Sequence, residues 1–327
     1  MALEFPMLAG AIRRRPLAPH ELTAQLTPQS DMPVLAHFGI PAISIDDWLL
    51  TMTGLVERPL RLSYKDFRKL PRRTLEACFE CAGNPLEPTV PQRRVANVAW
   101  TGVPLRHLLD LAGIQQSAQY LWSFGVDGGP FGDYYSDAYG KDVLVKTALE
   151  NDSLFADVVN GEPLTPAHGF PLRLVVPGYY GTNSVKWLSR IVVSDRRLEG
   201  LFTTHLYTDP VAGTTERKPV WAIAPESVIV SPVEGEEIKA GRCYQISGWA
   251  WSETPVVRVE ISDDRGITWR LAKVEGRKQR EWQRFVALWE PAQGNYTLMS
   301  RAMTAEGDTQ PDFGARNAFY LVTVYAR

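Results

Sequence analysis

Two of the chain's three cysteines, Cys78 and Cys81, are spaced as a CxxC within the segment Glu76 to Asn84. Such a pair admits several chemistries. A thioredoxin-like redox pair wants its cysteines at a helix N-terminus after a strand, but Gly83, Asn84 and Pro85 form a loop directly after the second one. A structural zinc site wants four ligands. No second CxxC exists, and His20, His37, His107, His168 and His205 are scattered along the chain. The spacing fits better a strand-to-loop junction presenting one exposed thiolate at Cys81, the donor that soft transition metals select. A buried structural thiol is the competing reading, since free cysteine is among the most buried residue types. Cys78, earlier on the strand, should face the other way.

A second cluster runs HGFPLRLVVPGYYGTNSVKWL from His168 to Leu188. His168 precedes a strand, Arg173 lies on it, and Lys186 follows the glycine-containing loop Gly178 to Ser184. Arginine offers a planar fork and lysine a point charge, and glycine frees backbone amides, so together they suit an anion such as a phosphate. The alternative for each residue is a solvated strand end or a structural ion pair.

These residues need elements to position them. Residues 1–45 read as an extended, proline-punctuated lead-in, and 46–220 as a mixed α/β domain. Ser63 to Leu70 is predicted to be a short helix with Ser63 as its N-cap. Residues 103–112 should form another, with Pro104 in the first turn and Gly113 as the C-terminal cap. Leu172 to Val176 and Trp187 to Val193 read as strands. Beyond a proline-containing boundary at Thr215 to Pro225, alternation predicts a hairpin of Val257–Ile261 and Ile267–Leu271 around Asp263 to Gly266. Further strands fit Phe285–Trp289, Tyr296–Met299 and Phe319–Tyr325. About seven short strands read as an immunoglobulin-like sandwich over 221–327. The fold class is therefore α+β: a mixed domain followed by an all-β one.

Composition narrows the function classes. The 327 residues carry 35 basic and 37 acidic side chains, a net charge of −2, which points away from nucleic acid and polybasic membrane anchoring. No apolar run reaches the roughly 18 residues a spanning helix needs. Three cysteines exclude a disulfide scaffold and fit a reducing compartment. Arg13, Arg14 and Arg15 follow the weakly apolar start rather than precede it, the reverse of a secretory signal. The expected location is cytoplasmic, or periplasmic if a signal has been removed.

ECAGN and HGFPLRLVVPGYYGTNSVKWL together resemble the sulfite oxidase family of molybdopterin enzymes, as do HFGIP, VAWTGVPL and ISGWAWSETPVVRVEISDDRGITW. The resemblance implies a molybdenum-molybdopterin cofactor, one Mo per chain, and a C-terminal dimerisation domain, hence a homodimer. It implies Cys81 as the sulfur ligand of molybdenum. His168, Arg173, Ser184, Val185 and Lys186 match the positions holding the pterin and its phosphate. Asp127 matches a further pterin contact, His37 with Phe38 the N-terminal one, and Tyr207 the active-site tyrosine. The implied activity is oxygen-atom transfer, with sulfite as the expected substrate and electrons passed to a separate acceptor such as a cytochrome c. Nothing resembles CxxCH or a cytochrome b5 module, so no haem is expected in this chain.

The chain departs from the family pattern at the anion site. Leu35-Ala36-His37 stands where eukaryotic members carry Arg-Asn-His, and Pro85-Leu86 replaces a basic pair after CAGN. Arg93 and Arg94 are the nearest substitutes. Alternative readings are a reductase of an S- or N-oxide on the same scaffold, and a non-catalytic binding protein in which Cys81 is structural.

Overall fold

The computed structural model describes residues 16–84, 92–211, 213–312 and 315–327, with the backbone at 12–13. Pro85, Leu86, Arg14 and Arg15 lie outside the described residues.

Two sheets build the first domain. One orders the strands Gly140–Leu144, Tyr120–Gly125, Leu188–Ser194, Leu49–Gly54 and Leu60–Ser63. Its pairings are antiparallel except Leu188–Ser194 with Leu49–Gly54. The other orders Glu162–Pro163, Leu154–Val159, Val95–Pro104 and Arg73–Glu80, with Arg173–Val175 also paired to Leu154–Val159. Alternate residues of these strands supply a core that includes Leu50, Met52, Leu121, Val143, Leu174 and Ile191.

Helices are shorter than the sequence suggests. The first covers only Tyr64–Phe67; the Ser63 hydroxyl accepts from the Asp66 amide as expected of an N-cap, and Phe67 is fully buried. The second covers Leu105–Ala112. Pro104 lies before its first turn, because the preceding strand keeps its pairing through Pro104 opposite Leu154. Leu105, Leu108, Leu109 and Ala112 are its buried stripe, and Gly113 closes it at φ 68°, a left-handed conformation that glycine adopts without a Cβ penalty. A third helix spans Val145–Glu150.

The C-terminal domain is all-β, with eight strands among the described residues, in the order Glu226–Ser231, Tyr244–Trp251, Gln283–Trp289, Arg270–Val274, Val256–Ser262, Gly294–Thr304, Val322–Ala326 and Glu236–Ile238. The array folds back on itself: the Ser227 hydroxyl on the first strand donates to Ser300 on the sixth at 2.9 Å. The predicted hairpin slips by three residues at its second strand, which begins at Arg270 and not at Ile267. The Asp264 carboxylate accepts from the amides of Ile267 and Thr268, which keeps those residues in the turn and leaves Ile267 82% exposed. The last strand begins at Val322 and not Phe319.

The two domains share a core. Cys78, Ala82 and Val95 of the first pack with Val228, Trp249, Trp251 and Trp282 of the second, and Leu22 of the lead-in joins them. Trp249 and Trp282 stack at 4.7 Å. Trp251 and Trp282 are each 1% exposed. These three tryptophans are thus buried between the domains of one chain.

Candidate functional site

The strand Arg73–Glu80 delivers Cys81 to the loop that follows it, and a set of hydrogen bonds holds that loop. The Cys81 amide donates to the Arg94 carbonyl at 2.9 Å. Asn84 donates to Glu80 Oε1 at 3.2 Å, and its own carbonyl oxygen accepts from the Arg94 amide. Glu80 Oε2 accepts from the Trp251 indole at 2.7 Å, and Oε1 from Asn317 Nδ2 at 2.9 Å, so the second domain pins the residue preceding Cys81. The Arg316 guanidinium, also from the second domain, donates to the Ala82 carbonyl and to Asp209 Oδ1 at 2.8 Å.

Cys81 is half-buried, not the exposed thiolate the spacing suggests. Burial pushes its thiol up, opposed by the Gly83 amide and the cations Arg94 and Arg316. Cys78 faces the interdomain core as expected, and burial raises its thiol well above the usual range.

The second motif folds into a cationic nest. Arg173 is 2% exposed; its Nη1 donates to the His168 carbonyl and its Nη2 to the Ser184 carbonyl, each at 3.1 Å. It lies 4.8 Å from the ring centroids of both Phe79 and Trp100. Lys186 donates to the Ala167 carbonyl at 3.1 Å and sits 4.1 Å from the Trp187 ring. Burial alone lowers Arg173 to about 9. Burial, with Arg173 adding repulsion, lowers Lys186 to about 7. Gly169 makes the close approach possible: a Cβ there would meet Lys186 at 3.1 Å and Arg173 at 3.2 Å, and its φ is +108°. His168 is buried, with Nδ1 2.8 Å from Thr165 Oγ1.

Asp127 joins this nest. Burial raises its carboxyl to about 6, with Lys186 pulling it down, and its Oδ1 has no hydrogen-bond partner among the described residues. Ser184 uses its hydroxyl to accept from the Val176 amide at 3.0 Å. The Val185 side chain is buried in the domain core, and its carbonyl accepts from the Leu174 amide at 2.9 Å.

His37, Phe38 and Tyr207 belong to one aromatic cluster with Phe131 and Phe202. His37 Nε2 is 2.7 Å from the Tyr207 hydroxyl, and Phe38 packs against Phe131 and Phe202. Tyr139, which sequence reasoning missed, ties the groups together. Its ring stacks on His37 at 5.1 Å, its hydroxyl donates to the Thr182 carbonyl at 2.9 Å, and its amide donates to the Asp127 carbonyl. Burial pushes the Tyr139 phenol well above its ordinary range. Asn183 was missed as well: it is fully buried with its Oδ1 unpartnered among the described residues. The Gly178 to Ser184 loop was the available signal for Asn183. Arg316 carried none, being 234 residues from its partner Ala82.

Arg93 does not serve an anion site. It is 1% exposed and pairs with Glu226 at 2.9 Å between the domains. Arg94 remains at the cysteine loop, donating to the Gly83 carbonyl, with no carboxylate in ion-pair range among the described residues.

These residues fit an anionic cofactor carrying a soft metal. Arg173 is a buried guanidinium with no carboxylate partner and with its Nε unpartnered among the described residues, an arrangement that is costly unless an anion answers it. Cys81 supplies a thiol that coordination would deprotonate.

Comparison with known proteins agrees. The profile of the oxidoreductase molybdopterin binding domain matches residues 37–202, and that of the Mo-co oxidoreductase dimerisation domain matches 217–325. Mitochondrial sulfite oxidase of Homo sapiens is 29% identical over 94% of this chain and 63% of its own length. Nitrate reductase [NADH] 2 of Phaseolus vulgaris is 31% identical over 73% of this chain but 31% of its own length. The chain thus spans about a third of such nitrate reductases and under two thirds of such sulfite oxidases. The sulfane dehydrogenase SoxCD of Paracoccus pantotrophus superposes with a TM-score of 0.84 and 29% identity over 99% of this chain and 86% of its own. The chain belongs to the sulfite oxidase family of molybdopterin-binding oxidoreductases.

Proposed function

We propose that this protein oxidises a small sulfur oxyanion, sulfite foremost, and passes the electrons to a separate acceptor. The observation that carries the reading is Arg94, a cation beside Cys81 with no acidic partner among the described residues, facing the cysteine with Arg316. In this reading Cys81 ligates molybdenum, and Arg173, Lys186, His168 and Asp127 hold the pterin and its phosphate, with Ser184 and the Val185 backbone closing the nest. His37 and Phe38 make the N-terminal contact. The molybdenum centre, when bound, supplies two-electron oxygen-atom transfer. The chain's own residues do the rest. Arg94 and Arg316 draw an anion toward the cysteine loop and orient it, acting in a site where burial strengthens each charge. Tyr207 and His37, hydrogen-bonded at 2.7 Å, hold a proton at the edge of that site. The dimerisation domain supports a homodimer.

Similarity to the sulfane dehydrogenase over 99% of the chain favours a second reading, oxidation of sulfane sulfur by the same site. Steady-state turnover with sulfite and an artificial acceptor tests the first. Because Pro85-Leu86 and Leu35 replace basic residues of the family pattern, sulfite turnover should be present but weak. Loss of Arg94 removes a charged contact worth about 1.5–3 kcal/mol, so Arg94→Ala should raise KM for sulfite on the order of tenfold or more, and affect an uncharged sulfoxide less. Equal effects on both substrates would contradict the oxyanion reading.

A further inference from the structure

Lys141 lies on the strand Gly140–Leu144 and is 1% exposed. Its neighbour Asp142 is not its partner. Arg197 takes both oxygens of that carboxylate, at 2.9 and 3.1 Å, and the Leu198 amide adds a third bond. The Lys141 ammonium instead donates to the Phe202 carbonyl at 2.7 Å and lies 5.2 Å from the centroid of the Tyr207 ring. No carboxylate comes within ion-pair distance of it among the described residues. A buried cation so placed is expensive, and burial lowers its pKa to about 7, with Asp142 pulling up and Arg197 pushing down. Packing alone would be served as well by methionine.

What the ammonium touches is the segment that presents Tyr207. Phe202 belongs to the wide helical turn Leu201–His205, and Tyr207 follows with φ 52°, a left-handed conformation that a tyrosine holds only where its surroundings fix it. One ammonium therefore ties the start of the segment through a carbonyl and covers the ring at its end. The Tyr207 hydroxyl meets His37 at 2.7 Å.

We infer that Lys141 is a positioning residue for the substrate pocket: it fixes the Phe202 to Tyr207 segment and, as a cation over the Tyr207 ring, strengthens the hydrogen bond between Tyr207 and His37. A cation against the ring makes the phenol a better donor and opposes a second positive charge on the imidazole. Among the described residues, Tyr139, stacked on His37, and the Asp142–Arg197 pair beside Lys141 are titratable groups facing this arrangement. The inference rests on reading Tyr207 as a pocket residue.

The test uses the cofactor-loaded full chain with 15N-labelled histidine. In Lys141→Met the His37 ring nitrogen signals should move toward those of an unbonded imidazole and the His37 titration should rise. In Lys141→Met cofactor content should stay unchanged and kcat/KM should fall roughly tenfold, and Lys141→Arg should restore the His37 signals, the His37 titration and kcat/KM. Lys141→Gln keeps a donor for the Phe202 carbonyl without the charge, so it reads the charge alone should the methionine variant fail to fold. His37 signals unchanged in a folded Lys141→Met or Lys141→Gln variant would overturn the inference. Adding Lys141→Met to Tyr207→Phe should cost no further turnover. If Tyr207→Phe itself leaves turnover intact, the pocket reading of Tyr207 fails while the His37 signals still decide the role of Lys141.

Discussion

The cationic nest should cost stability when it is empty, and Lys186→Met measures how much. Lys186 titrates at about 7 in the folded chain against 10.5 unfolded. At pH 7 that difference corresponds to roughly 4 kcal/mol against folding, at about 1.4 kcal/mol per pKa unit. Against it stand a hydrogen bond to Ala167 and the Trp187 ring contact, each worth about 1 kcal/mol; the attraction to Asp127 is already contained in the lowered pKa. Methionine removes all of these, so the cofactor-free variant should be about 1–2 kcal/mol more stable than the parent at pH 7. The sign with pH follows. The unfolded chain binds more protons than the folded one between about 7 and 10.5, so the parent gains stability as pH rises through that window, and the advantage of the variant should vanish near its upper end. Urea unfolding of both cofactor-free proteins at pH 7, 8.5 and 10 reads this directly. Purified Lys186→Met should at the same time retain less molybdenum and pterin. A cofactor-free variant that is less stable than the parent at pH 7 and loads cofactor as fully would refute the nest as an anion site.

The two cysteines should separate cleanly. Cys81→Ser should abolish turnover and leave a folded protein, whereas Cys78→Ser should keep turnover and lower the melting temperature, because Cys78 packs in the interdomain core; equal loss of turnover in both would remove Cys81 from its assigned role. Light scattering at micromolar concentration should give twice the 36.6 kDa of one chain, and a monomer alone would reject the homodimer.

The sequence by itself determined the family and the α+β class, and it singled out the residues proposed for the site. It could do so because two motifs, CAGN and the run from His168 to Leu188, are local: each needs only a strand, a glycine-permitted turn and adjacent side chains. Spacing also placed Gly113 and the Ser63 cap, whose physics is confined to one turn. Tertiary structure alone decided what lies across the chain from those motifs. Arg93 and Arg94 are neighbours with like chemistry, yet Arg93, whose backbone bridges to Leu17 of the lead-in, is buried against Glu226 between the domains, while Arg94 stays at the cysteine loop. Trp249, Trp251 and Trp282 of the second domain close on the first, and the strand Tyr244–Trp251 brings the Trp251 indole to Glu80. Lys141, Tyr139 and Arg316 reach the site only through sheet pairing and domain docking, contacts between residues far apart in sequence that no local pattern records.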